Sequence, residues 1–286
     1  LDNPAAGRFL RAYAFADELS QEVLRNFYPL LPAEGESAQR MLMGAAMVMD
    51  QLLDEDGEDP AAFASIRTML AKQTGDLTNP QDGNLTTTNP RLNTFVSMLE
   101  DILTDCRVRG QGTAGYAAFI ADLLRMLDAE LASPSVTLDK PPVKRVRDVV
   151  RDKSALLVWV GFQACCLGQQ LDPTQVEFYQ EICNAIGEVL WIMDDLADLE
   201  EDLERGIWNR SLWRLHDDLG EAHFKKLISS QSQLAEGIIS QAIVRREIEA
   251  ISERVVFIEA HPRMKYSPKL RAMMSFWITS WLGIYR

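Results

Sequence analysis

The chain reads as an all-helical protein, and three observations predict this. Glycine and proline are sparse, at 16 and 12 of 286 residues, while Ala, Leu, Met, Glu and Gln are plentiful. Apolar residues recur at three- and four-residue spacing instead of alternating, and β-branched runs are rare. Polar stretches rich in Gly, Asn and Pro separate these segments without marking a domain boundary. With 47% hydrophobic content the chain can bury a large core, so one domain over 1–286 with about ten helices is expected.

Taken in order, the first predicted helix is Pro4–Phe27, with Phe9, Leu10, Tyr13, Phe15, Leu19, Val23 and Leu24 as its apolar positions. Pro29 and Pro32 end it, and Glu34–Ser37 read as a link. A second helix runs from Ala38 to about Asp56, where Gly57 and Pro60 close it. At helical spacing Met43, Met47, Asp50 and Asp54 share one of its faces, so an apolar helix ends in acids. Helices over Phe63–Lys72, Pro90–Arg107 and Tyr116–Leu131 follow, with a loop at Thr74–Pro90 and a turn at Gly110–Gly115. A second polar loop, Ser133–Pro142, leads into a basic segment. That segment precedes a helix that turns apolar through Gly161, Phe162 and Gly168. Lys153 stands where polar gives way to apolar. It either reaches an anion at a cavity mouth or snorkels to solvent.

The central helix is the most informative. Asp172 can cap it, Pro173 suits its first turn, and Gln175 completes the capping pattern. It is expected to run to Gly206. Gly187, Leu190, Trp191, Asp194 and Asp198 lie along one side, and Asp194, Asp198 and Asp202 form a carboxylate row four residues apart. Acids near a helix C-terminus oppose its dipole, by roughly 0.3–1 kcal/mol each. Like charges four apart add a few tenths of a kcal/mol per pair. Arg205, Arg210 and Arg214 relieve part of this and a bound divalent cation would relieve more, although a solvated acidic face remains an alternative. Past the row, Asn209 and Ser211 are either further ligands or ordinary caps. Helices over Asp217–Ile228, Gln231–Glu259 and Pro268–Tyr285 complete the chain.

The net charge of −13 argues against nucleic acid as a partner, and it suits an anionic substrate only through metal ions. Cys106, Cys165, Cys166 and Cys183 make no Cys-x-x-Cys pair and read as reduced core thiols. His216, His223 and His261 lack zinc-ligand spacing. No signal peptide and no apolar run near 18 residues is apparent. Met273–Tyr285 is interrupted by Ser275, Thr279 and Ser280, so no membrane insertion and a cytoplasmic location are expected.

These stretches resemble the all-helical class I isoprenoid synthases, the superfamily of trans-prenyltransferases and terpene cyclases. Trans-prenyltransferases carry Gly-x-x-Phe-Gln-x-x-Asp-Asp-x-x-Asp in the central helix. This chain has Gly187, Leu190, Trp191, Asp194, Asp195 and Asp198 at those places. The segment Asp152-Lys153-Ser154-Ala-Leu looks like the family's Lys-Thr-x-x-Leu helix, whose lysine binds diphosphate. The first acid motif is reduced to Asp50-Gln-Leu-Leu-Asp54-Glu-Asp56. The Arg-Arg-Gly after it and the early Gly-Lys-x-x-Arg that holds isopentenyl diphosphate are absent.

The resemblance implies a helical bundle around a deep central cavity and a prenyl diphosphate substrate. It implies Mg²⁺ held by Asp50, Asp54, Asp194, Asp195, Asp198 and Asp202, and a homodimer. Asp50, Asp194, Asp198 and Lys153 would be catalytic; Lys153, Gly187, Leu190, Trp191, Phe162 and Asn209 would line the substrate. Phe119, Met126, Trp159 and Phe162 are candidates for setting the cavity depth. Without a second diphosphate site the expected reaction is cyclisation by a terpene cyclase. The alternatives are transfer to isopentenyl diphosphate or another acceptor, and a non-catalytic subunit that binds a prenyl chain or a partner synthase.

Overall fold

Three- and four-residue apolar spacing becomes α-helix throughout the described residues of the computed structural model. These residues are 33–50, 52–53, 63–73, 90–169, 171–229 and 238–260. The helices are α1 (Ala33–Asp50), α2 (Ala64–Lys72), α3 (Pro90–Gly110), α4 (Ala114–Ala132), α5 (Lys144–Ser154), α6 (Leu156–Cys166), α7 (Pro173–Ala197), α8 (Leu199–Arg205), α9 (Arg210–Leu219), α10 (Glu221–Ser229) and α11 (Ile238–Ala260). The all-α class is therefore as expected. The one β feature among the described residues is an isolated antiparallel bridge between Thr137 and Ile207. The helices predicted over 4–27 and 268–285 and the loop over 74–89 lie outside the described residues.

Helix α6 organises the packing. Its sequence, Leu-Leu-Val-Trp-Val-Gly-Phe-Gln-Ala-Cys-Cys, is apolar nearly all round, the mark of a helix buried on every side. Leu156, Val160 and Ala164 join a core built with α1 to α4. Trp159, Phe162, Cys165 and Cys166 join a second core with α5, α7, α9, α10 and α11. Phe119 and Met126 belong to the first core. All four cysteines are buried and free. Burial pushes the Cys106 thiol up to about 12, so it stays a protonated core group.

Several element boundaries differ from expectation. Residues 34–37 are the first turn of α1, not a link. The basic segment is itself helical, as α5. A break at Ala155 separates it from α6. The reason is a close crossing: a Cβ on Gly187 of α7 would lie 2.1 Å from the Ala155 carbonyl oxygen. Only glycine lets the two backbones approach so far.

The central helix starts as predicted, with a complete capping box between Asp172 and Gln175 and Pro173 in the first turn. It is interrupted at Asp198, whose φ of −91° and ψ of 4° fall in the bridge region, and resumes as α8. Hydrogen bonds from Asp198 to the Asp194 carbonyl (3.0 Å) and from Asp202 to the Asp198 carbonyl (2.7 Å) persist, so this is a local kink. Gly206 ends α8 in the left-handed region (φ 67°), with Ile207 N–H reaching the Asp202 carbonyl at 2.8 Å. The helix expected over 217–228 is instead two. Asn209 starts α9 seven residues earlier than expected, and Gly220 at φ 73° separates it from α10.

Candidate functional site

The acids that end α7 and α8 meet the start of two other helices. At the α5–α6 junction, Ser154 Oγ donates to Asp194 Oδ2 at 3.0 Å. This contact joins the lysine segment to the acid row across 40 residues of sequence. Next to it, Lys153 is mostly buried, with Nζ 3.9 Å from Glu130 Oε2 of α4. Its ammonium acts electrostatically on both Asp195 and Asp202. The structure thus brings Lys153, Asp194, Asp195 and Asp202 together.

On the far side, the N-terminus of α9 turns toward the same acids. Asn209 caps that helix, its Oδ1 accepting from Leu212 N–H at 2.9 Å. Its side-chain amide donates to Asp202 Oδ2 at 3.0 Å and to the Asp195 carbonyl at 3.1 Å. The Arg210 backbone N–H donates to Asp195 Oδ2. The adverse dipole at the end of α7 is therefore met by the favourable N-terminal dipole of α9, a compensation the sequence argument had assigned to arginines or a cation. The nearby arginines pair with other carboxylates, Arg205 with Glu201 at 3.4 Å and Arg210 and Arg214 with Glu247 of α11, although Arg205 still acts on Asp202 through its charge.

Even so, the carboxyls are strained as charges. Burial pushes the Asp195 carboxyl well above the usual range; the Arg210 amide opposes this, and Asp194 and Asp202 add to it. Burial also raises Asp202, with Asn209, Lys153 and Arg205 opposing and Asp194 reinforcing. Neighbouring carboxylates thus make each other harder to ionise.

The remaining predicted residues fall at graded distances from this cluster. Asp198 is exposed at the kink. Leu190 is half-buried against the second core, and Gly187 serves the crossing with Ala155. Trp191 is buried, with the Arg210 guanidinium 5.3 Å above its ring and Trp213 at 5.3 Å between centroids. A resident cation therefore lies over one face of Trp191, a residue expected to line the substrate. Phe162 packs on Trp159 (5.6 Å) and on Tyr179 (4.9 Å). Tyr179 stands fifteen residues before Asp194, roughly 22 Å along the axis of α7, so Phe162 is far from the acids. Trp159 itself donates from Nε1 to Asp122 at 2.9 Å. Asp50 is the last residue of α1 and only its backbone is described, while Asp54 lies outside the described residues.

Sequence reasoning missed Glu130, Glu247 and the role of Ser154. Ser154 alone carried a signal, as the hydroxyl beside the lysine. Among the described residues no three His, Cys, Asp or Glu side chains form a ready metal cage. Magnesium does not need one. It is commonly held by one or two carboxylates with phosphate oxygens and water. Asp194, which accepts from Ser154, and Asp202, which accepts from Asn209, are hard oxygen donors that suit that mode. Asp195 fits less well, because its carboxylate is buried and bound by a helix N-terminus. No described helix is long and apolar enough to cross a membrane.

No family model matches the chain, and no curated protein matches it by sequence. A solved structure with some likeness is the geranylgeranyl pyrophosphate synthase from Corynebacterium glutamicum. It shares 14% identity over 98% of this chain and 95% of that chain, with a TM-score of 0.47, too distant to carry an argument about activity.

Proposed function

We propose that the chain is a Mg²⁺-dependent class I isoprenoid synthase, one helical domain that ionises an allylic prenyl diphosphate and cyclises the chain. The observation that carries this reading is the junction of Lys153-Ser154 with Asp194 and Asp202. Two motifs forty residues apart, each resembling a diphosphate-binding element, meet through the Ser154–Asp194 hydrogen bond. Lys153, mostly buried, pairs with Glu130 and at the same time places its charge on Asp195 and Asp202.

In this reading Asp194, Asp198 and Asp202, with Asp50 and Asp54 from the end of α1, would hold Mg²⁺. Bound Mg²⁺ supplies charge neutralisation for the departing diphosphate. Lys153 places a further positive charge beside the same oxygens. Ser154 fixes the rotamer of Asp194, and Asn209 fixes that of Asp202. Asp195 has a structural part, tying α7 to α9. The allylic C–O bond breaks with its electron pair leaving on the diphosphate oxygen, a double bond of the same prenyl chain attacks the allylic cation, and the cyclic cation then loses a proton to give a hydrocarbon, or adds water and loses a proton to give an alcohol. Apolar side chains along α6 and α7, from Leu190 toward Phe162, would exclude water from the prenyl tail.

The test is incubation with C10 to C25 prenyl diphosphates and Mg²⁺ without an acceptor, with products read by mass spectrometry. A cyclic hydrocarbon or alcohol is expected. Diphosphate release that requires added isopentenyl diphosphate or another acceptor would make the chain a prenyltransferase. No release with any substrate would contradict the enzymatic reading and leave a prenyl-binding subunit.

A further inference from the structure

One buried ion pair beside the acid row is not used by the mechanism above. Glu247, in the middle of α11, is 1% exposed and pairs with the Arg210 guanidinium, which is 7% exposed. Arg214 Nη1 lies 3.4 Å from the same carboxylate. Arg210 is the first residue of α9, and its guanidinium lies over Trp191 at 5.3 Å. Its backbone N–H is the partner of Asp195 Oδ2. One residue therefore links α11, through its side chain, to the acid-bearing end of α7, through its main chain.

Stability alone does not call for such a pair. A buried guanidinium and carboxylate can often be exchanged for apolar side chains of similar volume without loss. What an apolar exchange removes is direction: attraction draws the guanidinium to one carboxylate, whereas an apolar contact tolerates sliding. Direction matters at this position, since the first turn of α9 also carries the Asn209 contacts to Asp202 and to the Asp195 carbonyl. A small slide of α9 would move both Asp195 and Asp202.

We propose that Glu247 is a positioning residue for the acid row: through Arg210 it fixes the first turn of α9 against Asp195 and Asp202, and so sets the aim of Asp202 toward a Mg²⁺–diphosphate. This rests on the functional reading above. It names α11, which carries no recognisable motif, as part of what shapes the anion site.

The test is calorimetric titration with inorganic pyrophosphate in the presence of Mg²⁺, which needs no turnover. The variant is Arg210→Met/Glu247→Leu, which removes both charges and keeps the bulk. It is expected to melt no lower than wild type yet to bind pyrophosphate about tenfold more weakly or worse, the scale seen when supporting partners of a metal site are lost. A folded double variant with wild-type pyrophosphate affinity would overturn the proposal. Should that variant not fold, Glu247→Asp keeps the charge and shortens the arm. The same weakening with an unchanged circular dichroism spectrum supports the proposal, and unchanged affinity sinks it. Wild-type protein that binds no Mg²⁺–pyrophosphate would instead refute the functional reading, and the positioning role with it.

Discussion

Gly187, which a motif places among the residues lining the substrate, also has a structural duty. Its missing side chain accommodates the Ala155 carbonyl, and a Cβ there would overlap that oxygen at 2.1 Å. Gly187→Ala is expected to destabilise by about 1–3 kcal/mol, as overpacking does, because the obstacle is backbone rather than a side-chain tip. Chemical denaturation measures this, and an unchanged midpoint would contradict the crossing. A second expectation concerns Asp202, whose folded carboxyl holds its proton more tightly than the unfolded one. The native state then binds more protons through that interval. Asp202 therefore lends its full stability below the unfolded carboxylate value, and this is lost as pH rises through the raised folded value. Asp202→Asn removes the titration and keeps a hydrogen-bonding oxygen for Asn209. Its melting temperature is expected to fall less than that of wild type between pH 4 and 7. A parallel fall in both proteins would show that Asp202 is not strained.

At the scale of elements, two helix caps of similar chemistry have different duties. Asp172 caps the outer end of α7, far from the acids. Asn209 caps α9 and also holds Asp202 and the Asp195 carbonyl. Asp172→Ala should cost about 1 kcal/mol and leave diphosphate release intact. Asn209→Ala should cost more, on the order of 2–3 kcal/mol, since a cap and buried hydrogen bonds go together, and it should also lower release. Equal effects on activity from the two substitutions would argue against the site drawn here. The same contrast shows what the sequence could reveal. The capping box at Asp172 and the stop at Gly206 are local patterns, readable within four residues. The break at Ala155 is not, because Ser154-Ala-Leu-Leu-Val continues an unremarkable helical pattern and the cause lies in Gly187, thirty-two positions away. Likewise the early start of α9 depends on Asn209 meeting acids from a different helix, so the local sequence could suggest a cap and not its partners.

Across the whole molecule, the chain divides its apolar residues between two cores that share α6. This places the start of α6, with Lys153 and Ser154 just before it, against the end of α7, where the acids stand. The acid row and the lysine were legible as separate motifs; their juxtaposition came only from the antiparallel return of α7 along α6. What was not legible is tertiary: Glu130 beside Lys153, Glu247 beneath Arg210, and the Arg210 guanidinium on the Trp191 face. No spacing rule links a glutamate in α4 or α11 to these partners. The most direct measurement is Mg²⁺-dependent pyrophosphate release from prenyl diphosphates by wild type and Asp194→Ala, with folding verified by circular dichroism. Release by wild type is expected to fall by more than about a hundredfold in a fully folded variant, the loss of roughly 3 kcal/mol of transition-state stabilisation. Undiminished release by Asp194→Ala would contradict this expectation.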